Sequence, residues 1–381
     1  MQISIIVPIY HGKVYIQRLI EIAENCKRSL GNMADVELVL SNDAPGDELE
    51  DCFSDVISIK VLNTSVNRGM QGARIVGIEQ CLGEYILMLD QDDLITEDCL
   101  KSQLENVLAK NGDASICKAI SEKKPVYDSQ FPFEKINNLE YALEVGPCII
   151  SPGQVLLKKN AISEVWKKNI LEHRGADDWL LWICMLAEGK SFVLNDEVLY
   201  EHVEDGTNAS WNTVKMMASD DEILQILKKE NVLSKEQYDI FEKSVKQAET
   251  KRIQILDKFR KMFFVYDEWL RLSRRGETIS DFLQSKGIYN VCVYGVGYLG
   301  KALIEDLKCT DGNVICAFDR NAEYIEDVGV PVYNRVQYME NAEILIVTLV
   351  DNVDELCRNW ADIMGIPVIT FSDLLNDMRQ I

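Results

Sequence analysis

Three carboxylates directly follow an apolar stretch in the sequence Leu-Met-Leu-Asp-Gln-Asp-Asp, at Asp90, Asp92 and Asp93. Carboxylates packed this closely repel one another unless a cation lies between them. A hard divalent ion with oxygen ligands, Mg²⁺ or Mn²⁺, would remove that repulsion and would also bind a diphosphate. The spacing alone leaves two interpretations open: a metal site, or a solvated acidic turn that caps the next helix, a role that Asp93 alone could fill.

A second pair of acids, Asp177 and Asp178, begins an apolar stretch that contains Trp179 and Trp182. The helix dipole stabilises an acid in the first turn as its anion, which is the form that accepts a proton. The pair is therefore a candidate for acid–base chemistry. Capping of the helix by one of the two acids is the alternative interpretation.

The third group is the glycine pattern Gly295-Val-Gly297-Tyr-Leu-Gly300, which follows a strand pattern and opens a helical one. The next predicted strand ends at Asp319, nineteen residues after Gly300. In a Rossmann-type unit such glycines let the backbone approach a pyrophosphate, and the acid binds a ribose. Because no catalytic acid–base set is evident nearby, we predict a nucleotide-binding or assembly domain rather than an oxidoreductase or epimerase. A degenerate fold with a purely structural role is the remaining alternative.

The elements that position these residues fall into three predicted regions. In residues 1–212 short apolar runs alternate with helical patterns, which is typical of a parallel sheet covered by helices. Residues 213–286 contain no proline and keep a helical spacing, so we predict a helical linker. Residues 287–381 return to alternation and are predicted as a small Rossmann-like α/β domain. The predicted strands are Ser4–Pro8, Val36–Ser41, Ile57–Leu62, Tyr85–Asp90, Asn290–Tyr294, Val314–Asp319, Ile344–Leu349 and Pro367–Thr370.

Composition excludes several classes of protein. With 40 basic and 62 acidic residues the net charge is −22, which argues against a general nucleic-acid surface. No apolar run reaches the roughly 18 residues that span a bilayer. The amino terminus lacks the basic stretch of a secretion signal. Eleven cysteines without a CxxC pair are typical of reduced thiols, so we expect a cytoplasmic protein.

Four short motifs occur in a fixed order before the acidic cluster. They are Pro8-Ile-Tyr10, Asn42-Asp43, Asn67-Arg-Gly69 with Ala73-Arg74, and Gly83-Glu84-Tyr85. Together with Asp90-x-Asp92, this series resembles family-2 glycosyltransferases of the GT-A fold. Two departures from the family pattern precede the cluster, since His11 replaces an Asn and Asn42 replaces the first Asp of a pair. A third follows it, because Cys184 stands where the family often has an Arg.

The resemblance implies roles for the residues on the nucleotide side. Pro8 and Tyr10 would line the base pocket. Asp43 would accept a hydrogen bond from the base imide, and Arg74 would face the nucleotide.

The resemblance also implies the metal site and the base. Asp92 would ligate Mn²⁺ or Mg²⁺, with Asp90 near the ribose and donor sugar and as a second candidate ligand. His202 follows a strand-like stretch and would touch the metal or the diphosphate, although a plain surface histidine is equally compatible. In the family an acid pair before such a helix supplies the base, so Asp178 is the expected base and Asp177 its orienting partner.

The function implied by the resemblance is an inverting, metal-dependent glycosyl transfer. One sugar would move from a nucleotide-diphosphate sugar, a UDP-sugar, to a hydroxyl of a saccharide or lipid-linked glycan in capsular or cell-surface polysaccharide synthesis. A single addition is favoured because the motif and membrane helices of processive synthases are lacking. Two alternatives stay open: an NAD(P)-dependent sugar-nucleotide oxidoreductase or epimerase run by the C-terminal domain, and a non-catalytic nucleotide-sugar-binding protein.

Residues 251–275 differ in charge from the rest of the chain. They contain eight basic and three acidic residues, interleaved with aliphatic and aromatic ones. Such a helix could lie on an anionic membrane at the inner face of the cell, where a lipid-linked acceptor would be found. The alternative is a packed helix between domains with solvated lysines.

Overall fold

The chain forms two units, Met1–Thr250 and Lys251–Ile381. The region predicted as a linker, residues 213–286, is thus divided between them. The computed structural model describes residues 1–121, 123–203, 212–310, 312–351 and 353–379.

The first unit is built around strand β1, Gln2–Ile9, which is buried from Ile3 onward. Because helices cover both faces, its sequence is an almost unbroken apolar run, as is usual in parallel sheets. Ile6 packs in one core and Ile5 in the other. The other strands of this unit are β2 Asp35–Asn42, β3 Ser58–Asn63, β4 Tyr85–Met88, β5 Leu94–Ile95, β6 Ala114–Ser121, β7 Lys124–Pro125, β8 Val155–Lys158 and β9 Phe192–His202.

In the described part of this unit, nine strands form one mixed sheet. Their order is β3-β2-β1-β4-β8-β6-β9-β5, with β7 paired to β6. Strands β1 to β4 are parallel, and β8 is antiparallel to β4 and β6. The register places Ile9 beside Asn42 and Ile6 beside Met88, so the carboxyl ends of β1, β2 and β4 meet at one edge. Ligands of α/β sheets bind beyond such an edge.

Helices cover both faces of this sheet. They are α1 Ile16–Leu30, α2 Gly69–Gln80, α3 Cys99–Ala109, α4 Leu139–Val145, α5 Glu164–Lys168, α6 Asp177–Ala187 and α7 Thr213–Lys229. Helix α6 is apolar on all sides and buried from Trp179 to Met185, which is the pattern of a helix at the centre of a core.

The long helix α8, Lys235–Arg274, contributes to both cores. Phe241 packs in the core of the first unit, and Val265 and Leu272 pack in that of the second. Among the helices that the structure describes, α8 included, none is both long and apolar enough to cross a membrane.

The second unit contains a parallel sheet in the order β12-β11-β10-β13-β14. Its strands are β10 Asn290–Tyr294, β11 Asn313–Phe318, β12 Val332–Tyr333, β13 Ile344–Val347 and β14 Val368–Thr370. Its further helices are α9 Ile279–Ser285, α10 Tyr298–Cys309, α11 Asp354–Met364 and α12 Phe371–Arg379. The predicted α/β class is confirmed in both units.

Candidate active site

The end of β2 is fastened to the start of α2 by Asp43, which is buried. Its Oδ1 accepts the N–H of Arg68 at 2.7 Å, and its Oδ2 accepts the N–H of Gly69 at 2.7 Å. A carboxylate has about four acceptor positions, so these bonds are compatible with a further contact to a base. The hydrogen bond between Asp43 and the imide of a nucleotide base stays a prediction.

The loop before α2 lies against the loop that precedes the acid pair. Gly69 has φ +75°, and a Cβ there would lie 2.8 Å from the Cδ of Arg174, so the position requires glycine. The guanidinium of Arg174 donates to the side chain of Asn67 and, at 3.0 Å, to its carbonyl oxygen. The sequence analysis missed this contact because its partners are 107 residues apart.

Arg74 connects the two acidic groups. It lies on α2 and is 2% exposed. Its Nη1 donates to both carboxylate oxygens of Asp177 at 3.0 and 2.9 Å, and its Nη2 donates to Oδ1 of Asp90 at 2.6 Å. Burial acts to lower the pKa of Arg74, but the carboxylates of Asp177 and Asp90 raise it above its ordinary value. The guanidinium is therefore a fixed cation between the two acids, and its predicted nucleotide contact stays a prediction.

Asp178 lies beside this network and is half-buried. Its Oδ1 accepts the N–H of Trp179 at 2.9 Å. Burial raises the pKa of Asp178 to about 7, the carboxylates of Asp177 and Asp90 add to the rise, and Arg74 opposes it. A carboxylate with a pKa near neutrality is suited to take a proton from a hydroxyl. The structure thus distinguishes the two acids, because Arg74 holds Asp177 while Asp178 has the raised pKa.

The backbone that leads into the acid pair adopts an unfavourable conformation. Arg174 and Ala176 have φ of 56° and 49°, in the left-handed region that side chains disfavour. The residue between them, Gly175, donates its N–H to Oγ of Ser219 on α7 at 2.8 Å. Such strain persists only where surrounding contacts hold it in place.

Helix α7 holds this same loop through a second side chain. The carboxylate of Glu222 accepts the N–H of Glu172 and the N–H of His173, each at 3.0 Å. Sequence analysis placed α7 in a linker and did not identify Glu222 or Ser219. The sequence around Glu222 gives no sign of this contact, because α7 begins after the strand pattern of the first region has ended.

Asp93 has a structural role in the fold, whereas the sequence analysis suggested it only as a cap of the next helix. It is buried, and its carboxylate accepts the hydroxyl hydrogen of Tyr200 and, at 2.9 Å, the N–H of Val203. The Nδ1 of His202 lies 3.1 Å from Oδ1 of Asp93. The solvated-turn interpretation is therefore wrong for Asp93, which fastens the end of β9 to the acidic loop.

The metal site predicted on Asp90, Asp92 and His202 stays a prediction. Within the described residues, no three His, Cys, Asp or Glu side chains gather as metal ligands. Asp90 already binds the Arg74 cation, although burial raises the pKa of Asp90. A carboxylate on one ring nitrogen is the usual support of a metal-bound histidine, and Asp93 supplies it to His202. Mg²⁺ often takes one or two carboxylates and completes its shell with substrate phosphates, so Asp92 and His202 stay predicted ligands of an ion that would arrive with a diphosphate.

The base side of the predicted pocket begins where β1 ends. Pro8 lies inside β1 and is buried, whereas the side chain of Tyr10 is 53% exposed. The N–H of Tyr10 donates to Oε1 of Gln91 at 3.0 Å, and Nε2 of Gln91 donates back to the Tyr10 carbonyl at 3.3 Å. This amide joins β1 to the acidic loop, and the exposed tyrosine ring contacts the ring of His11, with the two ring centres 4.4 Å apart.

In the second unit, the glycine loop follows β10 as predicted. At Gly300 a Cβ would lie 1.8 Å from the carbonyl oxygen of Gly295, so helix α10 packs against the loop only because residue 300 is glycine. At Gly297 a Cβ would meet no atom within 4 Å. Gly297 therefore borders open space beside the loop.

Asp319 follows β11, but its carboxylate is directed at the backbone. Its Oδ2 accepts the N–H of Val296, in the glycine loop, at 2.8 Å, and its Oδ1 accepts the N–H of Asn321 at 2.9 Å. One amide of the loop is thus bonded to an acid rather than directed at a pyrophosphate. The predicted ribose contact of Asp319 and the nucleotide in this unit stay predictions.

Acids and a buried arginine, gathered at the carboxyl edge of a parallel sheet, lie where α/β proteins bind their ligands. The family model for Glycosyl transferase family 2 matches residues 4–199, just over half of the chain. The chain belongs to glycosyl transferase family 2, which confirms the predicted family. The matched segment contains every candidate residue of the first unit except His202.

Several known proteins resemble parts of the chain. A protein of Haemophilus influenzae named "Uncharacterized glycosyltransferase" is 34% identical over 110 residues, 28% of this chain and 42% of that protein. The Campylobacter jejuni "GalNAc(5)-diNAcBac-PP-undecaprenol beta-1,3-glucosyltransferase" is 24% identical over 253 residues, 62% of this chain and 77% of that protein. The chain spans about two fifths of the length of the first relatives it matches.

A solved structure also resembles part of the chain. Residues 1–349 of Staphylococcus aureus TarS, crystallised with UDP-GlcNAc, align at 18% identity with a TM-score of 0.45. The alignment covers 64% of this chain and 72% of that one.

Proposed function

We propose that this chain transfers one sugar, with inversion, from a UDP-sugar to a hydroxyl of a saccharide or lipid-linked glycan. The carboxylate of Asp178, with a pKa raised to about 7 beside the Arg74 network, carries the proposal. Family membership supports glycosyl transfer. A lipid-linked glycan appears in the name of the Campylobacter relative, which supports that class of acceptor. Capsular or cell-surface polysaccharide synthesis in the cytoplasm is the setting we propose.

The proposed reaction is a displacement at the anomeric carbon. Asp178 takes the proton of the acceptor hydroxyl while that oxygen forms its bond to the anomeric carbon. The bond from the anomeric carbon to the diphosphate oxygen breaks, and the nucleoside diphosphate leaves with the electron pair. Attack from the opposite face inverts the configuration of that carbon.

The neighbouring residues have supporting roles in this proposal. Asp177, held by both of its oxygens to Arg74, fixes the start of α6 and so orients Asp178. Asp90, held by the same guanidinium, would face the ribose and the donor sugar. Mn²⁺ or Mg²⁺ on Asp92 and His202 would neutralise the leaving diphosphate.

The Asp178 assignment predicts how the rate depends on pH. Purified protein with Mn²⁺ and a panel of UDP-sugars is assayed for UDP release, with and without saccharide acceptors. Asp178→Asn is expected to lose about 100-fold or more in kcat, which is the usual contribution of a general base. Because only the ionised carboxylate takes a proton, kcat of the unchanged protein should fall as the pH drops below about 7.

The matched control is Asp55→Asn, an exposed aspartate of the same unit. It should keep both the rate and the pH profile. A flat profile between pH 5 and 9, or an Asp178→Asn variant as active as the control, would contradict the assignment of the base.

A nucleotide-binding role for the second unit is a separate proposal. It is supported by the glycine loop between β10 and α10, where Gly300 allows close packing and Gly297 borders open space. The strand order reverses around β10, which is where such sheets bind ligands. The contact between Asp319 and Val296 disfavours the dinucleotide oxidoreductase alternative, because it directs an acid at the loop.

A further inference from the structure

The carboxyl-terminal part of α8, residues 251–274, exposes a large amount of apolar surface. Seven aliphatic and aromatic side chains of this segment, which we call the outer stripe, are 46 to 66% exposed in the described structure. They are Ile253, Ile255, Leu256, Phe259, Phe263, Phe264 and Leu270. Soluble monomeric proteins rarely expose contiguous apolar surface of this kind. Where they do, the surface often marks an interaction site.

The outer stripe lies on the opposite side of α8 from the core of its own unit. Val265 and Leu272 are buried in that core, and the ring of Trp269 meets that of Phe371 edge-on at 5.1 Å. Phe259 and Phe263 follow one another at a spacing of four residues, which places them together on the outward side. The helix is therefore packed on one side and open on the other.

Positive charge accompanies the stripe. Residues 251–275 contain eight basic and three acidic residues in a chain of net charge −22. Arg260 comes four residues after Leu256, and Arg274 four residues after Leu270, so each lies beside the stripe on the helix surface. The guanidinium of Arg260 lies 5.9 Å from the centre of the Phe264 ring. Apolar and cationic groups thus occur side by side on one exposed surface.

The combination of apolar and cationic side chains indicates which kind of surface binds the outer stripe. A second copy of the helix would bury the aromatic rings, but it would also bring two arginine-flanked stripes together, and like charges repel. A bilayer with anionic headgroups satisfies both features, because the rings enter the acyl boundary while arginine and lysine meet the headgroups. Charge complementarity therefore favours the lipid surface.

We propose that the outer stripe of α8 binds the surface of an anionic phospholipid bilayer, with Phe259 and Phe263 entering the acyl boundary. The helix lies in the plane of the interface. The proposal is independent of the proposed glycosyl transfer, since it uses no residue of the candidate active site.

The test is sedimentation of the full chain with vesicles. Vesicles of phosphatidylcholine alone are compared with vesicles that also contain phosphatidylglycerol. The protein is expected to sediment with the anionic vesicles only, and less at high salt. Replacing both rings, Phe259→Glu with Phe263→Glu, should weaken binding at least tenfold, and Arg260→Gln by about fivefold.

Two variants serve as controls for this experiment. Phe53→Glu makes the same change at an 88% exposed ring of the first unit and should leave vesicle binding unchanged. Phe259→Leu with Phe263→Leu keeps an apolar stripe and should retain binding. Circular dichroism and light scattering report the fold and the oligomeric state of each variant.

Three results would overturn the proposal. One is no sedimentation with anionic vesicles, and another is equal sedimentation of the double glutamate variant and the unchanged protein. The third is a dimer in solution that the double glutamate variant splits while vesicles fail to bind, which would assign the stripe to a second copy of the chain.

Discussion

Arg74 is the residue on which the geometry of the candidate site depends. Its guanidinium joins Asp90, at the end of one strand pattern, to Asp177, which begins a helix 103 residues after Arg74 in the chain. Lysine could not reproduce this, because its single ammonium nitrogen cannot take the two positions from which Nη1 contacts Asp177 and Nη2 contacts Asp90. Removing one partner from this buried group of charges leaves the others uncompensated, which strongly destabilises the fold.

We therefore expect Arg74→Leu to destabilise the first unit by about 3–5 kcal/mol, since it leaves two carboxylates without their cation. Lowering the pH should reduce this loss, because Asp90, whose pKa burial already raises, can then take up a proton. Urea unfolding at pH 8 and pH 5 measures both effects. Arg28→Leu is the control, because its surface pair with Glu24 should contribute little to stability. Equal losses in the two variants would contradict the buried network.

Sequence alone indicated most of the acids of the site but none of their partners. Asp90, Asp177 and Asp178 stand out locally because polar residues adjoin apolar runs. The pairing of Asp90 and Asp177 with Arg74, and that of Asp93 with Tyr200 across 107 residues, follows from sheet register and helix placement, which no local pattern contains. The acidic run from Asp90 to Asp93 therefore contains two differently placed acids. Asp90 is bound to an arginine, whereas Asp93 is buried at the end of β9.

At the scale of elements, helix α7 positions the loop that carries the acid pair. Ser219 and Glu222 together accept three backbone N–H groups of that loop, and Arg174 and Ala176 within it have left-handed backbone angles. A loop strained in this way depends on its external hydrogen bonds. The position of Asp178 is thus set in part by a helix that begins at Thr213, outside the segment matched by the family model.

Glu222→Gln should lower kcat by roughly tenfold with little change in KM for the donor, because small misplacements of a catalytic group reduce the rate of the chemical step. An amide has one acceptor oxygen, so it can replace only one of the two backbone contacts. The control, Asp221→Asn, makes the same change of charge at an exposed neighbour on α7. Steady-state kinetics and thermal unfolding are measured on both variants. Unchanged kcat in Glu222→Gln would assign this carboxylate to stability alone.

The sequence predicted some elements better than others. Strands β1, β2 and β4 are buried on both faces, so their apolar runs are continuous and easily recognised. Strand β8 is four residues long, and such a short apolar run cannot be told from a helix or a turn. The predicted linker shows helical spacing throughout, but spacing does not reveal which core a helix joins. Helix α7 and the first part of α8 pack in the first unit.

At the scale of the whole molecule, the chain contains two candidate nucleotide sites, one in each unit. The first lies at the sheet edge with Asp92, and the second is the glycine loop with Gly297. A ligand that binds only the folded protein must raise its stability, by about 2.7 kcal/mol at 100 times its Kd. The two sites can therefore be separated by which ligand stabilises the protein and by which substitution removes the effect.

We expect UDP with Mn²⁺ to raise the unfolding temperature, and UDP or Mn²⁺ alone to raise it much less, because ion and diphosphate complete one another's ligand shells. Asp92→Asn should abolish the increase. Gly297→Asp, which places a carboxylate where a Cβ meets no other atom, should leave it unchanged, with Gly297→Ala as the matched control. Thermal unfolding with UDP, GDP, NAD and NADP, each with and without Mn²⁺, gives the comparison.

The opposite pattern would relocate the function of the chain. An increase with NAD or NADP alone, removed by Gly297→Asp and unaffected by Asp92→Asn, would assign ligand binding to the glycine loop. The amide of Val296 would then have to leave Asp319 for a phosphate, and Asp319→Asn should strengthen binding because a negative charge is removed from the loop. Weaker binding in Asp319→Asn would instead indicate that the acid contacts the ligand itself, as the sequence pattern predicts.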